Sequence, residues 1–344
     1  MSNESVLHEI ERLIENFQSV PENRRYWLVR TFGGKYFDSY KNYNYIALGH
    51  DEISYSAIDN IRVEAKNDGL IILKDLKTLC DNTYDEESRP GLIASQIYKF
   101  VFEIKKGDVV VIPSENSEEI AVGIVTATPV LEVSSKDLFL TDCPYMKRKS
   151  VKWEIVLSRQ ELDPYLYKVL QAHQAINEIS HYSDIIERTI GNFYIKENTG
   201  NLVLNVATDN GINAVDLFQL GYYLLNYSDK YFKANGLPFN INDVEVKINL
   251  NSKGKIQLKA PDAKTIWLIA VIVLSLNGGG LKFKATGVDF DLSTDGLIKN
   301  VIEYQNNQHD REMTDIIIKS IDSLKIQSPD DAVKVFEQFN TNKK

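Results

Sequence analysis

The stretch Tyr26–His50, YWLVRTFGGKYFDSYKNYNYIALGH, constrains the fold more than any other part of the chain. It opens as a strand, Tyr26-Trp27-Leu28-Val29-Arg30, and turns through the Gly33-Gly34 pair into an aromatic segment, Tyr36-Phe37-Asp38-Ser39-Tyr40. A second apolar run, Tyr45-Ile46-Ala47-Leu48, follows and is closed by Gly49. Adjacent glycines adopt backbone conformations that other residues resist, so the chain is expected to reverse between two strands. Such a unit either holds a flat ligand against its aromatic connection or forms the core of a small barrel.

More strands follow. Lys106-Gly107-Asp108 reads as a turn, Val109–Pro113 (VVVIP) as a buried strand, and Ile120–Ala127 (IAVGIVTA) as its return. Gly123 inside that return strand marks a bulge or a close approach. In Ser150–Leu157 (SVKWEIVL), Val151, Trp153 and Ile155 share one face and Lys152 and Glu154 the other, which makes Trp153 a core residue. Helical spacing covers Val6–Phe17, Gly91–Phe102 and the whole of Asp163–Arg188 up to a C-terminal Gly191. Ser54–Leu79 reads as a helix followed by a turn, and Asp81–Pro90 as an acidic loop.

A chain of 344 residues is long enough for two cores. The boundary is expected near Gly191–Gly200, giving an N-terminal amphipathic helix (1–23), a first domain (24–190) and an α+β second domain (191–344). In the second domain Leu202–Val206 reads as a strand and Asn213–Lys233 as a helix rich in Leu and Tyr. Val244–Leu250 and Lys255–Lys259 read as a hairpin, and Leu281–Phe290 as alternating. A last helix is signalled by Ser328 as N-cap, Pro329, Asp330 and Asp331 in the first turn, and Val333, Phe336 and Phe339 on its buried face; Asn340–Lys344 is an expected frayed tail. The run Ile266–Leu276, ending at Asn277-Gly278-Gly279-Gly280, is about half of what a spanning helix needs, so a buried core element is expected and no membrane role. With no secretory leader pattern, and Cys80 and Cys143 as isolated thiols outside any metal-binding spacing, a cytoplasmic location is expected.

A net charge of −9 opposes strong non-specific binding to nucleic acid but leaves room for a local basic face. The densest basic cluster is Lys147-Arg148-Lys149 with Lys152, readable as a phosphate-contacting strip or as a solvated loop.

Taken in order, Trp27–Arg30, Gly33-Gly34-Lys35-Tyr36, Ile46–Gly49, the run KGDVVVIP, the run AVGIV, the basic residues and VKW resemble the PUA-like/EVE-like module of Mrr-type restriction endonucleases and other phage-defence proteins. The likeness covers about residues 24–190. It implies a small β-barrel whose mouth binds DNA or RNA and, in some relatives, an extruded and often modified base. An extruded base loses its stacking partners, and aromatic and polar side chains must replace them. The resemblance assigns stacking to Trp27, Tyr36, Phe37 and Tyr40 and base or phosphate contacts to Arg30 and Lys35, around the Gly33-Gly34 turn. His50 stands where relatives often carry an aromatic. Lys147, Arg148 and Lys149 would lie beside the mouth.

Mrr-type proteins usually join this module to a nuclease domain that gathers carboxylates and a lysine on Mg²⁺. Asp243, Glu245 and Lys247 give an E-x-K on a strand, but Leu237–Asn240 supplies no upstream acidic partner. No nucleophile elbow, Walker loop, dinucleotide fingerprint or HExxH occurs, and no motif calls for a metal or cofactor. His173 and His181, eight residues apart in a helical pattern, read as surface histidines. The fold expected is α+β, a PUA/EVE-like barrel with helices followed by a mixed α/β domain. The function expected is a non-enzymatic sensor of nucleic acid or a nucleotide signal in phage defence. Its second domain would serve a protein partner or self-association. A structural, oligomer-forming interaction protein, with the helix 213–233 and the run 266–276 as its interface, is a separate alternative. A degenerate nuclease built on Glu245 and Lys247 is the enzymatic alternative.

Overall fold

The computed structural model describes residues 3–15, 17, 19–128, 130–133, 142–208, 211–249, 254–276, 282–285, 288–291, 301–302, 304–305 and 311–335. The chain is mixed α/β and divides into two units, Asn23–Ile186 and the pair of segments Met1–Glu22 and Glu187–Lys344. The N-terminal helix α1 (Asn3–Glu15) therefore belongs with the C-terminal half: its Ile10, Leu13 and Ile14 sit in that unit's core.

The first unit begins with β1 (Tyr26–Val29), the short helix α2 (Phe37–Asn42) and β2 (Tyr45–Leu48). Helices α3 (Tyr55–Glu64), α4 (Gly69–Thr83) and α5 (Pro90–Tyr98) follow, the first two capped by the Ser54 and Asp68 side chains. Where a single helix and a turn were expected over Ser54–Leu79, Lys66 and Asn67 take positive φ and split the segment in two. Then come β3 (Val109–Pro113), β4 (Glu119–Val125), β5 (Leu131–Glu132), β6 (Lys147–Ser158), β7 (Ile176–Glu178) and α6 (Ser183–Ile190), within whose sequence the division between the units falls.

These seven strands form one curled, half-barrel sheet in the order β2-β6-β4-β3-β1-β7, with β5 also on β6. The curl comes from the twelve-residue β6, which pairs with β2 through Lys147–Ser150 and with β4 through Val151–Ser158. Opposite Val122 and Gly123 the register shifts by one residue, leaving Glu154 of β6 as the extra residue, and β6 bends there, as bulged strands do. Gly123 is required there, because a Cβ would fall 2.6 Å from the Trp153 ring and 2.6 Å from Val151.

The helical pattern over Asp163–Arg188 is overridden. A 3-10 helix (Pro164–Gln171) is followed by β7, which pairs antiparallel with β1 (Leu28 opposite Asn177) and buries Ile176 completely. The open edge of β1 takes a strand where local periodicity favoured a helix. His173 consequently falls in the loop between that 3-10 helix and β7, and His181 in a later 3-10 turn, Ser180–Tyr182.

In the second unit β8 (Phe193–Lys196), β9 (Thr199–Val206), β10 (Glu245–Asn249) and β11 (Gly254–Ala260) make a four-stranded antiparallel sheet, order β10-β11-β9-β8. Helix α7 (Ala214–Ala234), capped by Asn213, buries Leu220, Leu224, Tyr227 and Tyr231. Helix α8 (Ala263–Leu276) carries the apolar run and is buried on every side, as expected of a core element; it is thereby unavailable as an interface. A hairpin of β12 (Lys282–Ala285) and β13 (Val288–Asp291) and the helix α9 (Arg311–Leu324) follow. The last signalled helix begins as a 3-10 turn, Asp330–Val333, with Pro329 rather than Ser328 at its N-cap and Val333 buried. Asn277–Gly280, Phe336, Phe339 and Asn340–Lys344 lie outside the described residues. No helix among the described residues is long and apolar enough to cross a membrane.

Candidate functional site

The two edges of the half-barrel face a cavity of about 590 Å³, lined by Ala47 and Leu48 of β2 on one side and Ile176 of β7 on the other. This is within the range of small-molecule sites. Its polar and aromatic groups come from four segments: Arg30 and Phe32, His50 and Glu52, Tyr145, and His173.

Phe32, Gly33 and Gly34 all have positive φ (55°, 66° and 100°), which produces the reversal expected from the glycine pair. Gly34 presses against the Glu115 backbone, 2.1 Å from a would-be Cβ, so this turn is fixed from behind. Phe32 is a bulky residue held in the left-handed region and yet 62% exposed. Its ring stacks on that of Tyr36 (centroids 5.7 Å apart, 18° between planes), and Tyr36 meets Tyr145 edge-on at 5.2 Å. His50 is the second non-glycine lining residue with positive φ (62°). Two non-glycine residues in a disfavoured conformation lining one cavity mark stored strain of the kind found at binding sites.

The wall residues are braced. Arg30 donates from Nε to Ala172 O (2.9 Å) and from Nη2 to Leu170 O and Ala172 O, holding the segment that carries His173. Burial lowers the Arg30 pKa. Tyr145 lies on Gly49, where a Cβ would come within 3.0 Å of its ring. Burial pushes the Tyr145 hydroxyl up to about 12. Burial also lowers the His50 pKa, which favours the neutral imidazole; its ring meets Tyr84 edge-on at 5.8 Å. The Glu52 carboxyl is held low by its own backbone N–H and by the Tyr84 hydroxyl, which donates to it at 2.8 Å. The cavity thus presents stackable rings, a neutral imidazole, a guanidinium and, at an exposed position, a carboxylate.

Among the residues assigned to binding, the structure brings Arg30, Gly33 and His50 to this cavity and keeps Tyr36 directly behind Phe32. Lys35 is exposed, with its ammonium 5.4 Å over the Tyr36 ring. Trp27 is overturned as a stacking platform. It is fully buried, its indole N–H donates to Asp108 Oδ2 at 2.9 Å, and the same carboxylate accepts the Arg25 and Lys105 backbone N–H groups. Phe37 and Tyr40 are likewise buried, the Tyr40 hydroxyl donating to Ala47 O.

The basic strip is overturned as well. Lys147 and Lys149 are 0% exposed and Arg148 is buried, because β6 runs through the middle of the sheet. Their long stems cross apolar packing and their heads cap backbone carbonyls. Lys147 Nζ donates to His50 O (3.1 Å), Ile53 O (3.1 Å) and Asp51 Oδ1 (2.7 Å). Arg148 donates to Tyr145 O and Cys143 O, both at 2.9 Å, with its guanidinium over Tyr45. Lys149 donates to Ile104 O (2.5 Å), Thr128 O (2.8 Å) and Val101 O (3.3 Å), and burial lowers its pKa to about 8. Lys147 and Arg148 thus hold the two loops that carry His50, Glu52 and Tyr145: they shape the cavity without reaching a ligand.

Phe32, Tyr145, His173 and Glu52 were missed. Phe32 beside a double glycine and Tyr145 after Pro144 were visible as loop aromatics; nothing local marks His173 or Glu52.

Asp243, Glu245 and Lys247 lie in the other unit. Asp243 ends a 3-10 turn, and Glu245 on β10 is exposed and paired with Lys259 at 2.8 Å. No three or more His, Cys, Asp or Glu side chains are grouped to hold a metal ion among the described residues.

Residues 33–180 match the model of a family described as a domain of unknown function (DUF8426). The matched segment lies within the first unit and contains every lining residue except Arg30 and Phe32. No curated protein and no solved structure matches the chain.

Proposed function

We propose that the Asn23–Ile186 unit is a PUA/EVE-like sensor of nucleic acid or of a nucleotide signal, and that it takes a nucleobase into the cavity between the sheet edges. The observation that carries this reading is the exposed Phe32 ring, held in the left-handed region over Tyr36 at the mouth of a cavity that also holds Tyr145, His50 and Arg30. A flat heterocycle gains from stacking on such a ring whatever its sequence context. The neutral imidazole, the guanidinium and Glu52 offer acceptors and donors for its polar edge. A role in phage defence, with the second unit passing the signal on, belongs to the same proposal and rests on the resemblance of the first unit.

The test is equilibrium binding of the full chain to single- and double-stranded oligonucleotides, with unmodified and modified bases, and to free nucleotides. Phe32→Ala removes an exposed ring without opening the core. One lost stacking contact of about 1–3 kcal/mol weakens binding roughly 5- to 150-fold. If none of these ligands binds, or if Phe32→Ala binds like wild type, the proposal fails.

A further inference from the structure

Strand β10 extends beyond the layer that covers its sheet. Its cross-strand neighbours Leu258 (opposite Val246) and Ile256 (opposite Ile248) are buried in the core formed with α8. Val246 and Ile248, on that same face, are 45% and 49% exposed, and Glu245 and Lys247 on the opposite face are exposed too. Among the described residues β10 is paired on one side only. A strand exposed on both faces and along one edge, with two β-branched residues on its apolar face, is a surface prepared to accept another strand.

The sequence of the strand indicates which strand. Antiparallel pairing of a strand with its own copy is symmetric, so facing residues share parity and the register is set by the residue on the two-fold axis. With Val246 on the axis, Glu245 faces Lys247 twice and Val246 faces the Val246 of the second copy. Charges complement on one face, and β-branched residues meet on the other. With Lys247 on the axis two lysines face each other, and with Glu245 on the axis two glutamates do. From this we infer that β10 is a homodimer interface: two copies of this chain join edge to edge about Val246, fusing their four-stranded sheets into one of eight. The intrachain pair Glu245–Lys259 lies on the same charged face, so in the dimer each Glu245 stands between two lysines.

The register makes the interface testable by cross-linking. Facing Cα atoms in an antiparallel pair are about 4.5–5.5 Å apart, within disulfide range. The native Cys80 and Cys143 are buried. The full-length Val246→Cys variant is expected to form an interchain disulfide under mild oxidation, and Lys247→Cys is not. By light scattering wild type is expected to be a dimer. Lys247→Glu and Glu245→Lys each set like charges opposite one another and weaken it about tenfold or more. An equimolar mixture of the two variants restores a heterodimer, since both cross-strand pairs are then complementary. Circular dichroism confirms that each variant is folded. A monomeric wild type, cross-linking at 247 instead of 246, or no recovery on mixing overturns the inference.

Discussion

Replacing Lys147 with methionine tests whether the buried triplet braces the cavity. The methionine stem fills a similar volume but donates nothing, so His50 O, Ile53 O and Asp51 Oδ1 lose the ammonium that now reaches them at 3.1, 3.1 and 2.7 Å. Removing one member of a buried ion pair costs about 3–5 kcal/mol, because the other charge is left uncompensated. Asp51 keeps 24% of its side-chain surface in water and one further donor, the Met146 N–H at 3.1 Å, which puts the cost at the low end, about 3 kcal/mol. For a unit of this size that lowers the melting temperature by roughly 6–12 °C. Hydrogen exchange at the β1 and β3 amides reads the stability of this unit separately from the other. Exchange at Gly49–Ile53 should rise further, since that loop is what Lys147 ties down. Asp51→Asn alone should cost about 2 kcal/mol, leaving the ammonium with two carbonyls, and the double variant should lose clearly less than the sum of the two single losses. A loss below about 1 kcal/mol for Lys147→Met, or strict additivity in the cycle, would refute the bracing argument.

The two glycines of the turn should respond differently to alanine. Gly34→Ala forces a Cβ into the Glu115 backbone at φ +100° and should cost several times what Gly33→Ala costs, the latter being about 1 kcal/mol because nothing lies within 4 Å of its Cβ; thermal melts compare them. His50 has a folded pKa depressed below its unfolded value of about 6.5, so its contribution is fully present above that pH and is lost as pH falls through the folded value. Relative to His50→Asn, which tolerates the same backbone conformation, wild type should therefore lose stability on acidification from pH 6.5 downward, before the carboxylates titrate; parallel profiles would contradict this. Lys149 obeys the same sign at higher pH. Its folded value near 8 lies below the ordinary 10.5, so the penalty of burying its charge is relieved as pH rises from about 8 to 10.5, and Nζ NMR should find one lysine titrating near 8.

Elements with local signals were legible before any fold was known. Alternation and glycine placement marked Tyr26–Val29, the reversal at Gly33-Gly34, Tyr45–Leu48, Val109–Pro113 and the β10–β11 hairpin, and Asn213 with the Leu/Tyr spacing marked α7. Periodicity reports which side of an element is apolar; it does not report what covers it. Hence Asp163–Arg188 read as one helix until the open edge of β1 drew Ile176–Glu178 into the sheet. The triplet Lys147-Arg148-Lys149 read as a surface strip because charge implies solvent, yet a central strand surrounded by backbone carbonyls buries all three. Trp27 and Phe32, five residues apart, exchanged roles for the same reason: Asp108 gives the indole a partner inside, while the left-handed turn pushes the phenyl ring out. The cavity itself was settled only by the tertiary structure, since its walls come from segments as distant as Arg30 and Ile176 and meet only because the sheet curls until its two edges face each other.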